Sequence, residues 1–240
     1  MDTISLLQTP LTLCKKYSGA GAAIMEDKPK MPTYFTYEQR AVADIQGFSD
    51  LLISLEQNPH TAIIRGIPAD DVDTEKLVRR KLRRSNTSEP NEAPFLDHAA
   101  SWIMIDVDKL LLSEGLNILQ EPLRAIEFAV QQLPPEFHET SYHWQLSASA
   151  GLKETNTLSA HLYFWLDRPR SNESLRAWAR GLGNKRLVDP AVFNAVQLHY
   201  TAVPLFSDSS ADPFIKNRSG LCSQDIQYCL FKTTLSKRRS

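Results

Sequence analysis

The chain lacks most of the features that would fix its class at a glance. Cysteine is scarce: Cys14, Cys222 and Cys229 are the only three in 240 residues. An odd, scattered set builds neither a disulfide framework nor a zinc ribbon, and no histidine follows Cys222 and Cys229 to complete a zinc site. Long apolar runs are missing, since none approaches the roughly 18 residues of a membrane span. The opening MDTISLLQTPLTLCKKYSG has no basic-then-apolar order of a secretion signal. A reduced, cytoplasmic setting with no membrane partner is expected. Charge of one sign is missing as well: 27 basic and 28 acidic residues leave −1, which excludes a wholesale polycation but permits a local basic groove. No G-x-x-x-x-G-K-S/T loop occurs, which excludes a P-loop ATPase motor, and neither G-x-S-x-G nor H-E-x-x-H is present.

What remains is ordinary globular composition, 42% hydrophobic and 23% charged, enough for one large domain or two small ones. Residues 1–35, with Gly19, Gly21, Pro29 and Pro32, read as an irregular arm before a core over 36–240. Val42, Ile45, Phe48, Leu51, Leu52 and Leu55 recur at helical spacing and predict a helix within 36–57. HTAIIRGIPAD reads as a strand and turn, Asp73-Thr74 as the cap of a short basic helix, and 85–94 as a loop. AASWIMIDV (99–107) is a buried-strand run, and a helical period over 115–132 stops at Pro134-Pro135. Strands follow over 141–151 and 158–166, and Ser171 caps a helix whose Leu175, Trp178, Ala179 and Leu182 share one face. A last apolar run covers 196–206. Strands and helices mix without strict alternation, which predicts an α+β fold rather than a doubly wound sheet.

Three short stretches carry chemistry. In Ile105-Asp106-Val107-Asp108 the two carboxylates stand on one strand face, about 7 Å apart at Cα. Two anions side by side are unfavourable unless a cation sits between them, and a pair of divalent ions about 4 Å apart is the usual answer in phosphoryl chemistry. The alternative is a strand that simply ends in solvated acids. In Leu158–Leu166, alternation puts Ser159, His161, Tyr163 and Trp165 on one face. A hydroxyl and an imidazole there suit an anionic ligand such as a triphosphate, although a lone strand histidine also serves as core. Leu187-Val188-Asp189-Pro190 adds an acid after an apolar run, or else an ordinary turn opening.

Their order, D-x-D on a strand, S-x-H on a strand, then an apolar-flanked Asp, resembles the archaeo-eukaryotic primase superfamily, the primase-polymerases. The motifs stand here as IDVD (105–108), SAH (159–161) and VD (188–189). The surrounding SASAGLK, LSAHLYFWLDRP and VDPAVFNAVQLHYTAVP look most like the catalytic cores of primases of bacterial plasmids, phages and integrative elements, over about residues 60–206. The resemblance implies an RNA-recognition-like sheet carrying the acids beside a smaller N-terminal α/β half. It implies two Mg²⁺ or Mn²⁺ ions on Asp106, Asp108 and Asp189, and His161 on the phosphates of the incoming nucleotide with Ser159 beside it. The implied activity is template-directed synthesis of short RNA or DNA primers on single-stranded DNA from nucleoside triphosphates, in the replication of a mobile element. A replicative helicase, or a fused helical or helicase domain after the terminal KRRS, is the implied partner. Several relatives carry Lys or Arg just before Ser-x-His, where this chain has Asn156 and Thr157. Lys153, Arg65 and Lys185 or Arg186 are the candidates for that phosphate cation, and Ser147 and Ser149, near Gly151, for the pocket lining.

A template needs a positive track and stacking surfaces. KLVRRKLRR holds Lys76, Arg79, Arg80, Lys81, Arg83 and Arg84, six basic residues in nine with no acid. The stretch 168–186 adds Arg168, Arg170, Arg176, Arg180, Lys185 and Arg186 against Glu173 alone. Either is a DNA track or a solvated helix face. Tyr142, His143 and Trp144 offer a stacking ring, with Trp144 alternatively core. Two other functions use the same residues: a metal-dependent nuclease, or a non-catalytic origin-binding protein on a decayed core.

Overall fold

The computed structural model describes residues 1–19, 24–28, 30–83 and 89–232. In chain order the elements begin with β1 (Asp2–Gln8), β2 (Lys16–Ser18), β3 (Met25–Asp27), β4 (Tyr34–Val42), α1 (Ile45–Leu55), β5 (Thr61–Ile64), β6 (Ile67–Pro68), β7 (Val78–Arg79) and β8 (Phe95–Leu96). They continue with β9 (Ala100–Leu111), α2 (Pro122–Gln132), β10 (Tyr142–Leu146), β11 (Thr157–Arg170), α3 (Asn172–Leu182), β12 (His199–Tyr200), β13 (Leu205–Phe206) and β14 (Ser219–Cys222). The class is α+β, with mainly antiparallel sheets. No helix among the described residues is long and apolar enough to cross a membrane.

The chain divides into two compact units, one of Met1–Ala100 with Asn194–Ile215, the other of Ser101–Phe193 with Lys216–Ser240. The first holds a five-stranded sheet in the order β12-β5-β1-β4-β7. Residues 1–35 are therefore not an irregular arm, and no boundary falls at residue 36. β1 is the central strand, in register with β4 from Asp2↔Val42 to Gln8↔Thr36. Its Ile4, Leu6 and Leu7 are buried, so apolar side chains on both faces, and not clean alternation, mark it as central. The helix expected over 36–57 is correct only from Ile45, where Asp44 caps it by accepting from the Gly47 N–H at 2.8 Å. One core of this unit joins Leu7, Leu13, Phe35, Ala62, Ile64, Val78, Phe95, Val196 and Leu198.

The expected basic helix after Asp73 is absent. Val78 is wholly buried and pairs with Phe35 on β4, so the segment is drawn into a sheet edge instead. Burial of one apolar side chain against a sheet here outweighs the helical leanings of its lysines and arginines.

In the second unit β9, α2, β10, β11, α3 and β14 follow one another as β-α-β-β-α-β, and the sheet order is β14-β10-β11-β9. The first β-α-β is thus split by β11, and the last strand adds beside β10. Pro122 opens α2, while Ser171 caps α3 at Ser174 N–H and Gly183, at φ 71°, closes it in the left-handed conformation. One sheet face is apolar: Ile103, Ile105 and Val107 on β9, Trp144 and Leu146 on β10, and Ala160, Leu162 and Phe164 on β11 are all buried. Phe164 meets Phe137 edge-on with ring centroids 4.9 Å apart, and Phe137 in turn packs on Trp178 of α3 at 5.7 Å. The opposite face is apolar at one end, where Trp102, Met104 and Trp165 are buried, and polar at the other, where Asp106, Asp108, Ser159 and His161 lie.

Candidate active site

Period-two alternation along three neighbouring strands builds the site in rows. On β10 and β11, Gln145 faces His161, and Gln145 faces Ser219 of β14 on its other side. Across β11 and β9, His161 Nε2 lies 3.7 Å from Asp106 Oδ1. In the next row Ser159 Oγ donates to Asp108 Oδ1 at 3.5 Å. Tyr163 stands beyond His161 on the same face, its ring edge-on to both His161 and His143. The acids do not end the strand as expected; β9 runs on to Leu111.

Asp189 joins from a loop. The Asp108 N–H donates to the Arg186 carbonyl at 2.8 Å, so the segment after α3 docks along the free edge of β9. Asp189 opens the following turn, accepting from the Ala191 N–H at 2.9 Å. All three acids and His161 belong to the same unit. Partial burial raises the Asp106 carboxyl above the usual carboxylate range; nearby His161 opposes the rise, and the charges of Asp108 and Asp189 add to it. Burial, and then the charge of Asp106, push the Tyr163 phenol up. An acid repelled by two others is the electrostatic setting in which a cation is favourable.

Hard carboxylate oxygens are the donors that Mg²⁺ and Mn²⁺ take, so the chemistry of this set fits such ions. Among the described residues, no group of three or more His, Cys, Asp or Glu side chains is disposed to hold a metal ion as it stands. His161 Nδ1 is buried without a hydrogen-bond partner among the described residues, and so is Ser147 Oγ. Ser147 sits next to Ser159, its N–H donating to the Ser159 carbonyl at 2.9 Å.

No protein-family model, no curated protein and no solved structure matches the chain.

The other candidates scatter. Ser149 and Lys153 are exposed on the β10–β11 loop, and Lys185 and Arg186 are exposed on the segment that docks beside Asp108. Arg65 belongs to the other unit, fully buried, its guanidinium pulled down to about 10 by burial against the opposing charges of Asp2 and Asp97. Tyr142, His143 and Trp144 are at most 4% exposed and offer no stacking ring to a base. Two cavities, of about 350 and 370 Å³, lie against β2 and β3 in the first unit, and neither is lined by the acids.

The basic stretch 76–84 has no acid of its own, but the fold supplies them from elsewhere. Lys76 pairs with Asp73 at 2.9 Å, Arg79 with Glu92 at 2.9 Å, and Arg83 with Asp71. Arg80 donates to the Val196 carbonyl at 2.8 Å, while Lys81 is exposed and Arg84 lies outside the described residues. In the second stretch Arg170 binds the Phe231 carbonyl and Arg176 the Phe193 carbonyl, each at 2.6 Å, whereas Arg180 is exposed. Lys81, Arg180, Lys185 and Arg186 are thus exposed cations of these two stretches that a polyanion can reach.

The sequence reading passed over Lys109. It is the sole non-glycine residue with positive φ among those described, at 51°, and it follows Asp108 directly. No pattern in the sequence marks it, since residues 110–112 are all leucine; the change of parity shows only in burial, with Leu110 and Leu112 buried and Leu111 exposed.

Proposed function

We propose that the chain is the catalytic core of a metal-dependent primase-polymerase, which makes short primers on single-stranded DNA by template-directed nucleotidyl transfer. The resemblance of IDVD, SAH and VD to that superfamily supplies the activity. The observation that carries it is the meeting of three stretches far apart in sequence: Asp106 beside His161, Asp108 beside Ser159, and the segment leading to Asp189 hydrogen-bonded to the Asp108 backbone. The β-α-β-β-α-β succession, with β11 between β9 and β10, supports the RNA-recognition-like half of that fold, from which it departs in having β14 beside β10 and not beside β9.

Divalent ions, when bound, would neutralise charge on the attacking and leaving oxygens of the transferred phosphoryl group. Asp106, Asp108 and Asp189 would hold them, and the repulsion by Asp108 and Asp189 that adds to the effect of burial on Asp106 would be relieved. His161, one strand away, would donate to a phosphate oxygen of the nucleotide. With Asn156 and Thr157 where relatives carry a cation, Lys153, Lys185 and Arg186 are the candidates within this unit for that charge. A mobile element replicating in a bacterial cytoplasm, with a helicase as partner, is the setting that the resemblance brings with it.

The test is primer synthesis on circular single-stranded DNA with ribo- or deoxynucleotides and Mg²⁺ or Mn²⁺. Short labelled products are expected. Degradation of the circle with no product would make the chain a nuclease, and DNA binding without either would make it a non-catalytic binder.

A further inference from the structure

We infer that Ser159 is a positioning residue, whose hydroxyl locks a bulge in β9 and thereby sets the Asp108 carboxylate, a role that rests on the reading of Asp108 as a site acid. Asp106 faces His161 and Asp108 faces Ser159. An unbroken antiparallel ladder would then bring residue 111 opposite Asn156. It is the Leu112 N–H that reaches the Asn156 carbonyl, at 2.9 Å, so β9 holds one extra residue between these points. The burial pattern agrees: Val107, Leu110 and Leu112 are buried, whereas Asp108, Lys109 and Leu111 are exposed. Such an insertion is a β-bulge, which re-aims side chains locally.

Lys109 carries the cost of that bulge, since a φ of 51° is unfavourable for any side chain with a Cβ. The bulge is held from both edges. The Asp108 N–H donates to the Arg186 carbonyl at 2.8 Å, and the Lys109 N–H donates to Ser159 Oγ at 3.0 Å. The one hydroxyl proton of Ser159 is directed at Asp108 Oδ1. With its one proton directed at Asp108, this hydroxyl has none to give a phosphate oxygen, so its part is to position β9. Without it, Lys109 tends to relax to negative φ, and the register of 110–112 and the aim of Asp108 change together.

Four variants of the full chain test this: Ser159→Ala, Ser159→Thr, Lys109→Gly and the double Ser159→Ala/Lys109→Gly. Glycine accepts positive φ at no cost, so it removes the need for the lock. Ser159→Ala is expected to lower Tm by about 3 °C, and to lower it clearly less on the Lys109→Gly background. In primer synthesis Ser159→Ala is expected to lose on the order of tenfold in kcat through misplacement, with nucleotide KM unchanged, and Ser159→Thr and the double variant to recover it. Additive Tm changes would overturn the inference, as would a raised KM at unchanged kcat or a double variant no better than Ser159→Ala. If the unsubstituted protein makes no primers, the proposed function fails while the melting cycle still decides the bulge.

Discussion

Asp106 Oδ1 on β9 and His161 Nε2 on β11 lie 3.7 Å apart, with Asp106 partly buried and further repelled by Asp108 and Asp189. A carboxylate in that position destabilises the fold it belongs to, which is a common mark of a residue kept for function.

That destabilisation has a sign that can be measured. The folded chain holds the Asp106 proton more tightly than the unfolded chain, whose value is near 3.8. The carboxyl therefore favours folding fully below that pH, and the contribution is lost as pH rises through the raised folded value. Asp106→Asn is predicted to be more stable than the unsubstituted protein at pH 7 by less than about 1 kcal/mol, because solvent screens a group this exposed. The difference should vanish near pH 3.5 in urea unfolding. Equal stability at both pH values would show that neither burial nor repulsion penalises the charged acid.

His143 works in the opposite direction. It is fully buried and burial lowers it from 6.5 to about 4, so it is neutral in the folded protein at neutral pH. Its contribution is fully present above pH 6.5 and is lost as pH falls toward 4, by roughly 3 kcal/mol in total. Acid sensitivity between pH 6.5 and 4.5 is predicted to be clearly smaller in His143→Gln, measured as the change in urea midpoint. An unchanged midpoint slope would assign the acid sensitivity elsewhere.

The second unit was far more legible in the sequence than the first. Its strands β9 and β11 are long and apolar, α3 carries a serine cap and a terminal glycine, and alternation places Asp106, His161 and Ser159 on faces from the sequence alone, whereas the short β14, SGLC, carries no strand pattern. β1 was missed because a central strand buries both faces and shows no alternation. The basic segment after Asp73 misled because composition does not reveal which distant acids will meet it; Glu92 and Asp71 are supplied by the fold. Lys109 was missed because Leu110, Leu111 and Leu112 are all apolar, which hides the change of parity across the bulge.

Substitution of Gly66 in the first unit is predicted to be destabilising. A Cβ there would sit 3.0 Å from the Ala195 carbonyl oxygen and 3.1 Å from that of Leu96, and backbone atoms cannot swing aside. Gly66→Ala should cost about 1–3 kcal/mol in chemical unfolding. A neutral result would mean that this approach opens freely.

The accessible cations should separate from the paired ones. Lys81→Ala and Arg180→Ala are each predicted to weaken binding to single-stranded DNA and to reduce the salt dependence by about one unit of slope or less. Arg83→Ala, which breaks the bonds to Asp71 and to the Ala93 carbonyl, should instead lower stability. Filter binding across a salt series, with melting of each variant, distinguishes these outcomes. Equal slopes in all three would remove Lys81 and Arg180 from the DNA track.

The most direct measurement is nucleotide incorporation on a primed single-stranded template with Mn²⁺, compared among the unsubstituted protein, Asp106→Asn, Asp108→Asn and Asp189→Asn. Incorporation by the first and a loss of at least a thousandfold in each variant, with all four folded by circular dichroism, is the predicted result. Undiminished incorporation in any one variant would contradict a site built from these three acids.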